Sequence, residues 1–113
     1  MPASVSKSVV IAINATVSGA VDLSLNDHLA RLVGFVMPAA FTGASISFQV
    51  SADDSTYQAL YDDANSLVSI TVSASRTYGF RNDVAMALGH WRFVKFVSAS
   101  AEGAERTIVV YTK

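Results

Sequence analysis

Nine carboxylates, two histidines and no cysteine are what this chain of 113 residues offers for acid–base, nucleophilic or metal chemistry. Four of the carboxylates, Asp53, Asp54, Asp62 and Asp63, crowd into "SADDSTYQALYDDANS". Paired acids can hold calcium, but that ion prefers six to eight oxygens, and neither "SADDST" nor "DDANS" supplies that set or an EF-hand order. If residues 55–61 are extended at about 3.3 Å per residue, the two pairs stand roughly 25 Å apart and cannot share an ion. Asp tolerates left-handed backbone and bonds its own chain two residues on, which suits a turn between alternating runs. The acids are therefore expected to turn the chain, with no metal site.

His28 and His90 are the other candidates. A hydrolytic triad would need one of them beside a nucleophilic Ser and an oriented acid. The serines fall on polar strand faces, and no Gly-x-Ser-x-Gly elbow occurs. His90, next to Trp91, reads as a loop histidine at the head of a strand. No catalytic residue, no cofactor and no enzymatic activity are expected. Tyr57, Tyr61 and Trp91 could form a stacking platform for sugar, with Tyr78 a further aromatic. Tyr57 and Tyr61 share a face with Ala59, however, and suit packing across a hairpin. The arginines are scattered, and isolated exposed pairs contribute little. Arg31 and Arg92 differ because they interrupt apolar strand faces, where a planar guanidinium fits pairing across an interface.

The elements that must position these residues have a period of two. In "SISFQVS", Ile46, Phe48 and Val50 face one way and Ser45, Ser47, Gln49 and Ser51 the other. "LVSITVS" repeats the rule with Val68, Ile70 and Val72. Such alternation marks half-buried strands. Strands are expected at 9–15, 17–23, 29–37, 44–51, 56–61, 67–73, 77–80, 91–98 and 106–111. Between them lie the turn-forming clusters "SLND", "MPAAFTG", "ADDS", "DDANS" and "SAEGAE". At most one short helical turn is expected near 82–89, capped by Asn82 or Asp83 and ended by Gly89. The fold class is all-β: a single-domain antiparallel β-sandwich at 8–113, preceded by a loose arm at 1–7.

Composition narrows the function classes. The net charge of −1 gives no broad attraction to nucleic acid or to an anionic membrane surface. The run "VVIAINA" is too short to span a bilayer, and no cleavage pattern follows it. Absence of cysteine removes disulfides and thiolates, and fits assembly in the cytoplasm. Only 15% of the residues are charged, which hints at a surface covered by a partner. Two strands point the same way. In "LARLVGFVM", Leu29, Arg31, Val33, Phe35 and Met37 share a face, while the opposite face, Ala30, Leu32, Gly34 and Val36, is also apolar. In "WRFVKFVS", Trp91, Phe93 and Val97 oppose Val94 and Phe96. A strand apolar on both faces is covered on both, by the core and by a loop, the arm or another subunit.

The stretches "LVGFVMPAAFTGASISFQVSADDSTYQALYDDAN" and "WRFVKFVSASAEGAERTIVVY" resemble a group of small tailed-phage and prophage virion proteins. Members pair a Val-x-Met-Pro-Ala-Ala-aromatic-Thr stretch with Phe-Gln-x-Ser-x-Asp-Gly and a Leu-Tyr-Asp strand end. An Arg-aromatic-hydrophobic-Lys segment and a closing Arg-x-hydrophobic strand follow. Here these fall at 36–42, 48–54, 60–62, 92–95 and 106–109. The chain departs at Asp54, where the group often has Gly, which leaves the turn type open.

The resemblance implies a jelly-roll-like sandwich carried on a virion that assembles in the host cytoplasm. Its most specific version is a capsid decoration (cement) protein. Its partners would be the major capsid protein and further copies of itself, a trimer being one candidate. Val5, Lys7, Phe41, Arg92 and Phe96 are the expected contact residues. The alternative is a carbohydrate-binding or accessory module of a tail or fibre, using Tyr57, Tyr61 or Trp91.

Overall fold

The computed structural model describes residues 5–25, 28–29, 31–89 and 91–112. In chain order these form β1 (Val5–Ile11), β2 (Val17–Asp22), β3 (Ser24–Leu25), β4 (His28–Leu29), β5 (Leu32–Val36), β6 (Ser45–Ser51), β7 (Gln58–Ala59), β8 (Ser69–Thr71), β9 (Thr77–Gly79), α1 (Asn82–Leu88), β10 (Phe93–Ser98) and β11 (Arg106–Thr112). The chain is all-β apart from α1. Nine strands make one sheet in the order β7-β6-β10-β2-β1-β11-β5-β9, with β8 also paired to β6, while β3 and β4 form a separate ribbon. Every pairing is antiparallel. The two halves of the sheet meet at a single residue pair, Ile11 opposite Ser18. There the sheet curls, giving a half-barrel.

Alternation explains the core. Val9 and Ile11 on β1, Ile46, Phe48 and Val50 on β6, Val94 and Phe96 on β10, and Ile108 and Val110 on β11 all point inward and are buried. Four phenylalanines join the halves. Phe96 stands edge-on to both Phe35, at 5.5 Å between ring centroids, and Phe48, at 5.2 Å. Phe80 closes the square against the same two rings at 5.4 and 6.0 Å. Such aromatic pairs each contribute about 0.5–1.5 kcal/mol beyond area burial.

Two bulges break the strict period. Between Tyr111 and Thr112 the partner register on β5 jumps from Gly34 to Leu32, so Val33 is the extra residue. A bulge reverses side-chain parity. Leu32 therefore turns into the core, whereas Val33, expected beside Phe35 and Met37, is exposed. Gly34 lies against β9, where an added Cβ would collide with the Tyr78 carbonyl oxygen. The second bulge lies on β2, where Lys95 faces Ala20 but Val97 faces Val17. The Ser18 hydroxyl repairs the interrupted ladder by accepting the Phe96 N–H at 2.9 Å.

Other boundaries also differ from the sequence-based expectation. β1 starts at Val5, because residues 5–7 are laddered to β11 opposite Thr112, Tyr111 and Val110. The segment expected to be a loose arm is thus partly strand, and residues 1–4 lie outside the described set. α1 spans seven residues, about two turns and not one, because Val84 and Leu88 bury the same face one helical turn apart. Its N-cap is Arg81, without a side-chain cap, and Gly89 is the C-cap.

Among the described residues, one charged side chain is wholly inside. Glu102, 1% exposed, has its carboxylate beneath the "MPAAFTG" loop. Oε1 accepts the Thr42 N–H at 2.8 Å and Arg106 Nε at 2.9 Å; Oε2 accepts the Gly43 N–H at 3.0 Å and the Ser98 hydroxyl at 2.9 Å. The Glu102 backbone meanwhile bonds both Asn14 and Ala15 in the β1–β2 turn. Gly43 is required, since a Cβ there would strike Ser98 Oγ. Burial pushes the carboxyl up, but the Thr42, Arg106, Ser98 and Gly43 bonds outweigh it and hold it below 4.5, the ordinary value.

A carboxyl depressed in the folded state adds stability above its ordinary value, and that stability is lost as pH falls through the folded-state value. Urea unfolding should therefore show an acid limb beginning below pH 4.5 that Glu102→Gln flattens. Glu102→Ala, which strands Arg106, the buried Gly43 amide and the part-buried Thr42 amide, should cost about 3–5 kcal/mol. A loss under 1 kcal/mol would remove Glu102 as a structural tie.

Candidate functional site

The sheet does not close on itself. One edge is β9 and the other is β6 with its short companions β7 and β8. α1 follows β9 directly and faces the 60–69 loop across a groove of about 600 Å³. Leu60, Val68 and Val84 form its buried floor, which is continuous with the core. On its rim stand Tyr61, Leu67 and Met86, which are 54, 43 and 70% exposed. Among the described residues the other exposed large apolar side chains are Val10, Ile13 and Val33; only Ile13 is as open as these, and none of the three lines this groove. Tyr61 and Leu67 face each other as an isolated β-bridge, held by the Val68 N–H on the Leu60 carbonyl and the Asp62 N–H on the Ser66 carbonyl.

Acids ring the groove. Asp62, Asp63 and Asp83 line it together with Arg81. Arg81 Nε pairs with Asp83 at 2.9 Å, so these two cancel and Asp62 and Asp63 set the local sign. Asp62 Oδ1 also accepts the Ala64 and Ser66 N–H groups at 2.9 Å, fixing the loop. Asp53 makes the same kind of turn, accepting the Ser55 and Thr56 N–H groups and the Ser51 hydroxyl, and these bonds lower its carboxyl pKa. Asp54 adopts φ of 60° and accepts the Tyr57 hydroxyl. Among the described residues no three acidic or histidine side chains gather as a metal-binding group.

Tyr61 and Leu60 also line a smaller hollow of about 280 Å³ with Trp91, Thr56, Gln58 and Ser51. Tyr61 and Trp91 of the expected aromatic platform do come together here. Tyr57 does not: Lys95 Nζ sits 4.1 Å from its ring centroid, and its hydroxyl is spent on Asp54. Desolvation, and then the Asp54 bond, push the Tyr57 phenol up to about 12.

The expected contact residues are dispersed. Phe96 is fully enclosed in the core and offers no surface. Arg92, expected to pair across an interface, pairs within the chain, its Nε and Nη2 reaching the two Asp22 carboxylate oxygens at 3.2 and 3.3 Å. Asp22 raises the Arg92 pKa, and the guanidinium also covers the Phe93 ring at 4.7 Å. Lys7 Nζ donates to the Asp22 carbonyl at 2.6 Å. Phe41 is half-buried against the core. The Val5 side chain, the His28 side chain and His90 lie outside the described set, so the structure gives no account of them.

Sequence reasoning missed Leu67 and Met86. The signal for Met86 was present: two residues along a helix is about 200°, so a helix that buries Val84 and Leu88 turns Met86 outward. No helix among the described residues is long and apolar enough to cross a membrane. Comparison with family models, with curated proteins and with solved structures returned no match.

Tyr57 should ionise late. The neutral phenol is favoured by the fold, so the associated stability is present below pH 10 and fades as pH rises toward about 12. Ultraviolet titration should show a late ionisation near pH 12 that Tyr57→Phe abolishes. A high-pH titration curve that Tyr57→Phe leaves unchanged would refute the Tyr57–Asp54 arrangement.

Proposed function

We propose that this chain is a virion structural protein, a capsid decoration protein that docks onto an assembled head shell. The observation that carries the reading is the open apolar groove beside α1, with Tyr61, Leu67 and Met86 on its rim. Water-exposed apolar side chains grouped over a continuous apolar floor mark interaction surfaces more often than catalytic ones. The motif resemblance supplies the class of partner, the major capsid protein, and extends the curled sheet to a jelly-roll-like sandwich. What supports that extension is the contact between the inner faces of the two half-sheets at Phe35 and Phe96. Self-association belongs to the same proposal, with a trimer as one candidate. Phe41, on the loop that Glu102 fixes, is a contact residue of the same proposal.

A ligand that binds only the assembled shell stabilises it by mass action. Heads of the phage or prophage that encodes this chain, assembled without it, should bind the added protein in co-sedimentation and melt at a higher temperature. Heads that neither bind it nor gain stability would sink the reading.

One observation favours a second reading, a carbohydrate-binding accessory module. In the hollow beside Trp91 and Tyr61, the side chains of Thr56 and Gln58 make no hydrogen bond to a described residue. An aromatic wall with open polar groups suits a sugar ring. Trp91 is the only tryptophan, so saturable quenching of its fluorescence by glycans at micromolar to millimolar concentration would favour this module. Unchanged emission across a glycan panel would exclude it.

A further inference from the structure

The groove beside α1 has a chemical character that specifies more than an interaction surface. We infer that it takes a peptide segment whose apolar side chains are flanked by lysine or arginine, contributed by the shell protein. This rests on the shell-docking reading above.

Three features converge. The groove is the seam of a sheet that curls without closing, so its floor of Leu60, Val68 and Val84 is the side of the core itself. A segment laid there would cover core-adjacent apolar surface that α1, with only seven residues, leaves open. The rim supplies side chains to grip it, Tyr61 and Leu67 from the loop and Met86 from the helix. Methionine and tyrosine suit this task because one is flexible and the other presents a broad apolar ring with a polar tip.

Charge selects the occupant. With Arg81 and Asp83 neutralising each other, Asp62 and Asp63 leave the lip negative, and among the described residues no lysine lines it. Complementary potentials steer encounter and suppress wrong partners, so flanking cations fit and flanking carboxylates are repelled. Of the chain's own cations, Lys7, Arg81, Arg92, Lys95 and Arg106 are engaged within the molecule, with Asp22 O, Asp83, Asp22, Tyr57 and Glu102 respectively, whereas Arg31 and Arg76 are exposed. The occupant inferred is a segment of the shell protein; self-association of the free chain that Met86→Asp abolishes would place a second copy there instead and overturn the inference.

The test uses the folded full-length chain and two probes. The first is the head shell assembled without this protein. Met86→Asp should weaken co-sedimentation at least tenfold, and Asp62→Asn with Asp63→Asn should weaken it severalfold and flatten its salt dependence. Ile13→Asp, an exposed apolar site outside the groove, should bind as wild type. Wild-type binding that survives the groove substitutions would overturn the inference while leaving the docking reading standing; absence of wild-type binding would remove the docking reading.

The second probe judges the groove independently of the shell. A short synthetic peptide with an apolar centre and lysines at both ends is compared with a glutamate-flanked twin by heteronuclear NMR titration. The lysine peptide should shift Tyr61, Leu67 and Met86 resonances and bind more tightly than the twin. Shifts elsewhere, equal binding by both peptides, or no shifts with either would overturn the inference. Circular dichroism and melting of each variant establish that it is folded.

Discussion

A β-sheet that bends round on itself but stops short of closure must do something with its two edges, and that constraint shapes the rest of this molecule. Unpaired edges template association with other chains, and natural proteins blunt or cover them. Here the edge strands are short: β7 has two residues, and β8 and β9 have three each. A helix of seven residues is set into the gap, with Val84 and Leu88 as its plug. The plug seals the core but does not fill the seam. What remains is a groove with an apolar floor, continuous with the core, and an acidic lip.

The opposite demand, keeping the curl fixed, falls to Glu102. A buried carboxylate is costly unless every lone pair is used. This one binds two backbone amides, one hydroxyl and one guanidinium, drawn from the loop before β6, the end of β10 and the start of β11. Its backbone adds the β1–β2 turn. Both half-sheets are thus tied near the point where they meet through a single residue pair, Ile11 with Ser18. Ser18 contributes twice, as a partner in that pair and as the acceptor that repairs the ladder at Phe96. A sheet tied this way can leave its far seam open without spreading.

Much of the sheet was legible because period two is a strong signal wherever one face is buried. Ile46, Phe48 and Val50 alternate cleanly, and β6 follows the pattern from Ser45 to Val50, breaking only at Ser51, which is buried as well. The signal failed where a bulge reversed it: Val33 has the sequence of a core residue and the exposure of a surface one. No local feature of "RLVGFV" announces that extra residue, since it is set by pairing with β11 far along the chain. The turn roles of Asp53 and Asp62 were readable from local hydrogen-bonding chemistry. Glu102 was hidden in a cluster that looks like an ordinary polar loop, although Arg106 four residues on was a clue. Arg92 misled because its apolar neighbours suggested a partner outside the molecule, when Asp22 on the adjacent strand supplies one. The groove was illegible for a related reason. It joins residues 60–69 to residues 81–87 through the edges of a sheet whose strand order local sequence does not encode.

The apolar outer faces of two strands prompted the idea of a partner. For β10 the chain supplies part of its own cover, with Arg92 over Phe93 and Lys95 over Tyr57. The weight of a docking role therefore rests on the seam beside α1. Hydrogen–deuterium exchange, measured on the free chain and on the chain bound to head shells, interrogates that seam directly. In the proposed role, amides of residues 60–69 and 82–88 slow on binding while those of the turn around Asn14 do not change. Protection that appears elsewhere and leaves both seam segments exchanging as in the free chain would contradict it.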